Sequence, residues 1–398
     1  MISVDEAKSS IQQNNIILAP AKVPLQQAAN FILAEDVFAI TDIPGYNQSS
    51  MDGYALTFEK GQSAFILAKS DVGNAEMAAG TSTQYALKPN HAMRIFTGAP
   101  LPQDADTVVM QEKIELSESK IILKDEDLQV GANVRLKGAE IKTGALAMAA
   151  GTFLSAAAIG FLAGIGIAEV WIYPSPKVTV ILTGNELQAP GNELQFGQVY
   201  EANGVMLTVA LQKAGVKEIA VVKAADNLHE LTDVLKSALE NSDVVLLTGG
   251  VSVGDYDFVV QATQNCHVIQ QFHRIRQKPG KPIFFGIKAS QLVFGLPGNP
   301  SSVLTCFYEY VYPALRSMMV LTSEIQVRDI EISHPYTKNA GLTHFLKARL
   351  DGDKVVPLHA QESYRLHSFA QADCLIKLPE EVTDVEAGDL VEVHILPI

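Results

Sequence analysis

Apolar residues change their spacing in blocks along this chain. Between about residues 177 and 321, short β-branched runs at 178–182, 219–222, 244–247 and 292–294 alternate with longer amphipathic stretches. Unbroken apolar runs of this length fit strands covered on both faces. The stretches between them carry helix signals. Asn203 can cap a helix that stops at Gly215, and Asn227 with Glu230 makes a capping box for a helix reaching about Glu240. Asn299 and Pro300 open a third helix through Tyr310, because proline suits the first helical position. Strand–helix alternation predicts an α/β domain with a mostly parallel sheet and helices on both faces.

The flanking regions read differently. Residues 39–143 show short strands and turns, such as 108–110 and 121–123. After Ser323 come strands at 327–332, 344–350, 375–378 and 391–395, with Gly388-Asp389 as a turn. These predict a β-rich insertion and a small C-terminal all-β domain. At the start, Ser3 and Glu6 form a capping box for a first helix. Residues 143–168 carry no charge and are long enough for a membrane span. However, Gly144 and Gly151 interrupt the front half, Ser155 is a helix cap, and Gly164 and Gly166 stop the helix. The continuous helix is then about ten residues, too short to cross a bilayer.

Charge narrows the function. Lys plus Arg total 30 and Asp plus Glu 44, a formal net charge of −14. That balance argues against a nucleic-acid or anionic-membrane binder. Three separated cysteines, with no CxxC pair, and an N-terminus broken by Asp5, Glu6 and Lys8 fit a reducing cytoplasmic setting. The histidines show no metal-ligand spacing.

In an open α/β sheet, ligands bind beyond the carboxyl ends of the strands. Each predicted strand here is followed directly by an unusual loop. These are Thr183-Gly184-Asn185-Glu186, Ala224-Ala225-Asp226, the segment 248–257 with Gly249, Gly250 and Ser252, and Leu296-Pro297-Gly298-Asn299-Pro300. The glycine-rich loop can cradle an oxyanion on its backbone N–H groups, although a tight connection that only needs glycine would look the same. Residues 258–308 contain no acid but hold Arg274, Arg276, Lys278, Lys281 and Lys288. Lys278-Pro279-Gly280-Lys281 places two ammonium groups around a turn, suited to phosphate or molybdate; a solvated basic face is the alternative. Glu186, Asp226 and Asp257 are hard oxygen donors of the kind that hold Mg²⁺ beside phosphates, although each alone could be a cap or a surface charge.

At these loops the sequence resembles the molybdopterin molybdenumtransferases, the MoeA family, related to the E domain of gephyrin. The resemblance rests on Ser49-Ser50-Met51-Asp52-Gly53-Tyr54-Ala55, Thr97-Gly98-Ala99-Pro100-Leu101-Pro102, Ala105-Asp106-Thr107-Val108-Val109 with Glu112, and Thr183-Gly184-Asn185-Glu186-Leu187. It continues through Gly249-Gly250-Val251-Ser252-Val253-Gly254-Asp255, Lys278-Pro279-Gly280-Lys281-Pro282 and Leu296-Pro297-Gly298-Asn299-Pro300. The family implies insertion of molybdate into adenylylated molybdopterin with release of AMP, and a requirement for Mg²⁺. It implies an elongated homodimer with the cleft shared between subunits, and a MogA-type adenylyltransferase and molybdoenzymes as partners. The domains would be 1–19 with 177–321 (MogA-like), 20–38 with 144–176 (linking and dimerisation), 39–143 (β-rich insertion) and 322–398 (small β-barrel).

Carried onto this chain, the resemblance makes Asp52, Asp226, Asp257, Lys278 and Lys281 catalytic. It makes Thr97, Thr183, Gly249, Gly250, Ser252, Pro297, Asn299 and Pro300 substrate-binding, and Glu186, Asp226 and Asp257 the metal set. Three positions depart from the family pattern: Asn185, Ala139 and Ala202. An adenylyltransferase of the same fold and a weakly active binding scaffold are the competing readings.

Overall fold

The computed structural model describes residues 1–70, 73–251, 258–322 and 325–397. The chain forms two compact units. One comprises residues 1–21, 30–32 and 172–398; the other comprises 22–29 and 33–171.

The first unit is built on a six-stranded sheet. Its strands are β1 (Lys177–Thr183), β2 (Glu218–Ala224), β3 (Val244–Thr248), β4 (Ile269–His273), β5 (Phe284–Lys288) and β6 (Gln291–Leu296), in the order β2-β1-β3-β6-β5-β4. The runs predicted from sequence are β1, β2, β3 and β6, and these are mutually parallel. Strands β5 and β4 extend the sheet antiparallel, an edge that the strand–helix alternation did not signal. Successive residues face opposite sides, which explains the unbroken apolar runs. Val244, Leu246, Leu292 and Phe294 pack on one face with α1 (Val4–Asn14) and α2 (Asn203–Ala214). Val245, Leu247 and Val293 pack on the other with α3 (Leu228–Asn241).

The helix ends depart in detail from the expected caps. Ser3 and Glu6 do form the reciprocal box on α1. Asn203 is the first residue of α2 and not its cap. Ala202 occupies the cap position without a side-chain bond, and the buried Glu201 carboxylate accepts from the Gly204 N–H at 2.6 Å instead. Thus the acceptor missing at residue 202 is replaced from the residue before it. Asn227 accepts from the Glu230 N–H, but Glu230 turns to the Ala225 N–H, so that box is half made. Pro300 opens a helix at Pro300–Cys306 whose cap residue, Asn299, makes no side-chain cap bond; a π-helical turn at Phe307–Val311 leads into a further helix at Tyr312–Met318.

The C-terminal strands Val327–Ile332, Thr343–Asp351, Lys354–Pro357, Cys374–Leu378 and Leu390–Ile395 close into a five-stranded barrel, the last contact being Thr343–Asp351 with Cys374–Leu378. The short strand Gln277–Lys278 joins this barrel, pairing with Thr343 and His344. A cation-bearing loop of the α/β domain is thereby tied to the barrel.

A buried ionic network joins α1, the π-helical turn and the barrel. Glu309 accepts from Lys8 at 2.6 Å and faces His394 Nδ1 at 2.7 Å, while His394 Nε2 faces Glu392 at 2.8 Å. Lys377 bridges Glu392 and Asp5. A neutral imidazole has one N–H, so two carboxylate contacts favour the imidazolium. Burial opposes that charge, but the hydrogen bonds that His394 donates to Glu309 and Glu392 outweigh it and raise the His394 pKa. Burial likewise opposes the Glu309 charge, yet Lys8 and His394 hold it below the usual range. The bond to His394, helped by Lys377, brings Glu392 down to about 2. A raised imidazole pKa gives stability that is complete below 6.5 and lost as pH climbs through the raised value. Lowered carboxylates give stability that is complete above 4.5 and lost as pH falls. The network therefore contributes most between about pH 4.5 and 6.5. Urea unfolding midpoints measured across pH should show this dome. His394→Leu should flatten its alkaline side and cost about 3–5 kcal/mol near pH 6 by stripping a partner from a buried charge. An unchanged profile would remove His394 from the account.

The second unit carries a six-strand path in the order Thr107–Met110, Gly53–Leu56, His91–Ile95, Ala64–Leu67, Lys120–Leu123, Ile114–Ser117, with Glu76–Met77 pairing alongside His91–Ile95. Its helix Ala156–Gly164 is capped by Ser155 as expected. Among the described residues, no helix is long and apolar enough to cross a membrane.

Candidate active site

The carboxyl ends of β1, β2, β3 and β6 lie together because these strands are parallel. The loops that follow them line a cavity of about 320 Å³, with Thr183, Glu186, Asp226, Gly249, Gly250 and Pro297 on its wall. Thr183, at the end of β1, donates to the Thr248 carbonyl at 3.0 Å and so ties two loops together. Gly249 has φ +85°, and a Cβ there would stand 2.9 Å from Thr183 Oγ1, so glycine is required by both conformation and space. Asn185 N–H donates to Asp226 Oδ2 at 3.0 Å, and Asp226 N–H donates to Asn185 Oδ1 at 3.4 Å. Asn185 thus braces the Asp226 carboxylate.

Ser252 and Asp257 lie outside the described residues. Of the expected metal set, Glu186 and Asp226 line the same cavity. No group of three or more potential metal-binding side chains occurs among the described residues. A pair of carboxylates with substrate oxygens and water completing the shell is the usual manner of holding Mg²⁺, so this donor chemistry fits that ion.

A larger cavity, of about 930 Å³, shares Glu186, Asn203 and Pro297 with the first. Lys278, Lys281, Asn299 and Pro300 line it, and the barrel contributes Gln361, Ser363 and Tyr364. Asn299 donates to Ser363 Oγ at 2.9 Å, fastening the proline-rich loop to the barrel. Asn203 donates to the Gly298 carbonyl at 2.9 Å, while its Oδ1 is buried with no partner. Burial pushes His344 down to about 4, and the Lys278 and Lys338 ammonium groups add to that effect, marking a positive field on this side.

The basic run does not gather here as a whole. Of its five cations, Lys278 and Lys281 line the larger cavity and none lines the smaller. Arg276 binds Glu380 at 2.8 Å and the Met1 carbonyl at 3.0 Å, and serves instead to join the N-terminus to the barrel. A residue run has one charge sum, but a strand and its turns send consecutive side chains to different places.

The barrel was expected, but its contribution to the cavity wall was not legible in the sequence. Lys347 is buried at 2% exposure, and its ammonium donates to the carbonyls of Ala360 at 2.7 Å and Arg365 at 3.0 Å. Gln361 bonds to both backbone groups of Lys347. Together they shape the loop that bears Ser363 and Tyr364. The available signal was a lone lysine inside the wholly buried run 343–348.

Asp52 and Thr97 meet in the second unit. Asp52 Oδ1 accepts from both the Thr97 N–H and the Thr97 hydroxyl, each at 2.8 Å. These bonds, led by the backbone one and helped by Arg94, hold the carboxyl below its usual range. Arg94 lies over the rings of Tyr54 and Phe96 and donates to the Gly53 carbonyl.

Comparison with known proteins agrees with this layout. Family models match as the MoeA N-terminal region (domain I and II) over residues 2–166, a probable molybdopterin binding domain over 179–317, and the MoeA C-terminal region (domain IV) over 330–396. Molybdopterin molybdenumtransferase 2 of Mycobacterium tuberculosis is 31% identical over 403 residues, covering 99% of both chains. The molybdopterin molybdenumtransferase of Staphylococcus aureus is 32% identical over 400 residues, covering 98% of this chain and 95% of its own. A crystal structure of the molybdopterin biosynthesis MoeA protein from Pyrococcus horikosii superposes with a TM-score of 0.82 at 30% identity, covering 99% of each. With its α/β site, its closed barrel and this full-length kinship, the chain belongs to the MoeA family of molybdopterin molybdenumtransferases.

Proposed function

We propose that this protein inserts molybdate into adenylylated molybdopterin and releases AMP, giving the molybdenum cofactor. One observation carries the reading. Adjoining cavities at the carboxyl ends of the sheet set Lys278 and Lys281 near Glu186 and Asp226. An oxyanion needs the first pair, and a phosphoanhydride with its metal needs the second. Lys278 and Lys281 would hold molybdate or phosphate oxygens as point charges. The Gly249 and Gly250 amides, with Ser252, would bind the nucleotide or pterin phosphate, and Thr183, Pro297, Asn299 and Pro300 would shape the pocket. Glu186 and Asp226, with Asp257, would hold Mg²⁺, which when bound supplies neutralising charge at the anhydride. Asp52 and Thr97 would serve the cleft of a second copy in a homodimer.

The wider setting follows from this chemistry. Residues 1–19 with 177–321 and the barrel 322–398 would bear the reaction; 20–38 with 144–176 would link and dimerise, and 39–143 would present Asp52. A MogA-type adenylyltransferase would supply the substrate and molybdoenzymes would receive the product, in the cytoplasm.

Purified protein given molybdopterin-AMP, molybdate and Mg²⁺ should release AMP and yield active cofactor. No molybdate-dependent release would sink the proposal, and adenylylation of molybdopterin from ATP would install the adenylyltransferase reading. Lys278→Ala should raise KM for molybdate about tenfold or more through loss of a charged contact. That deficit should shrink at high salt, because ions screen the native contact. A deficit independent of salt would point to a shape effect.

A further inference from the structure

The loop bearing Lys278 and Lys281 rests on a side chain that the reaction itself does not use. Gln277 is fully buried. A buried amide is costly unless both of its ends are bonded. Its Nε2 donates to the Pro279 carbonyl at 3.0 Å and the Gly280 carbonyl at 3.2 Å, with Cys306 Sγ at 3.5 Å beside it. Its Oε1 accepts from the Tyr310 hydroxyl. Tyr310 is 1% exposed and stands in the π-helical turn, an irregularity that often marks a functional site. Only one orientation of the amide satisfies the whole set, with oxygen toward the phenol and both N–H groups toward the loop. Gly280 has φ +87°, and a Cβ there would lie 2.5 Å from Cys306 Sγ and 2.7 Å from Gln277 Nε2. The loop therefore sits directly on this clamp, with no room between.

We propose that Gln277, oriented by Tyr310, is the positioning residue for the lysine loop. It ties the two carbonyls between Lys278 and Lys281 inward. Left free, those oxygens would compete for the ammonium groups and repel an arriving oxyanion. The clamp instead leaves the cavity wall to the cations. The inference rests on the reading of Lys278 and Lys281 as oxyanion ligands.

The test uses the full chain as wild type, Gln277→Leu, Tyr310→Phe and the double variant. Hydrogen exchange over residues 278–283 is followed without substrate, and steady-state rates are followed with molybdate varied. Gln277→Leu should speed exchange in the loop and raise KM for molybdate about tenfold, with kcat changed less. Tyr310→Phe should act in the same direction but more weakly. The double variant should be no worse than Gln277→Leu alone, because Tyr310 acts through Gln277. Should Gln277→Leu fail to fold, Tyr310→Phe retains the amide and still decides the matter.

Unchanged loop exchange in the folded variants would overturn the clamp. Faster exchange with an unchanged molybdate KM would overturn the positioning role, since a purely structural residue lowers the unfolding midpoint and leaves KM in place. Absence of turnover in the wild type would instead defeat the functional reading, while the exchange comparison would still decide the clamp.

Discussion

Asp226→Asn is expected to lower turnover roughly a hundredfold, comparable to losing one preorganised charge-stabilising group, with little change in stability. The substitution separates the loop-bracing role of Asp226 from the catalytic role proposed for it. Its Oδ2 accepts from the Asn185 N–H at 3.0 Å, and its own N–H reaches Asn185 Oδ1 at 3.4 Å. An asparagine oxygen can still accept the first bond, and the second is backbone on one side. The brace between the loops after β1 and β2 therefore survives, while the negative charge in the cavity goes. If residue 226 only joins two loops, the rate will stay near wild type. If it faces Mg²⁺ and the anhydride, turnover falls and the Mg²⁺ concentration needed for half-maximal rate rises. Urea unfolding run in parallel shows whether the fold is intact. Asp226→Ala, by contrast, loses brace and charge together, so it cannot tell the roles apart.

Gly53→Ala should have a large effect on stability at any pH. Gly53 lies in a strand paired on both sides, with Met110 and Ile95 as its register partners. A Cβ at this position would overlap the Val109 carbonyl oxygen and approach the carbonyl carbon to 2.9 Å. The obstructing atoms are backbone, so no rotamer change relieves the clash. Either the strand pair opens or its hydrogen bonds bend, at a cost of about 3 kcal/mol or more. Gly45→Ala is the matched comparison in the same unit, since nothing lies closer than 3.8 Å to its Cβ. A Gly53→Ala loss below about 1 kcal/mol, within the ordinary range for point changes, would mean that the ladder yields more readily than its packing suggests. Activity should also fall, because Asp52 and the Gly53 carbonyl that binds Arg94 are displaced with the strand.

The legible part of the fold was whatever is written in neighbouring residues. Four apolar runs became the four parallel strands, and the loops after them became the cavity wall. Ser3, Ser155 and Pro300 began helices where their local chemistry says helices begin. These signals act over about four residues, within one turn or one strand face. Other features needed distant partners. The antiparallel edge of β4 and β5 depends on pairing across the sheet and not on any alternation with helices. The five cations between residues 258 and 308 looked like one block, yet Arg276 turned to Glu380 while Lys278 and Lys281 faced the cavity. Asn203 and Asn299 read as caps, but each side chain reached across to another loop, to Gly298 and to Ser363.

By itself, then, the sequence determined the parallel core of the sheet, the loops that line its cavity and, through its motifs, the family. Only the tertiary structure decided which side chains in those loops meet. It brought Asn185 to Asp226, Lys347 under the barrel loop and Gln277 under the lysines. The reason is physical: periodicity records which face of an element is buried, whereas a hydrogen bond between loops depends on where closure of the whole chain leaves each atom.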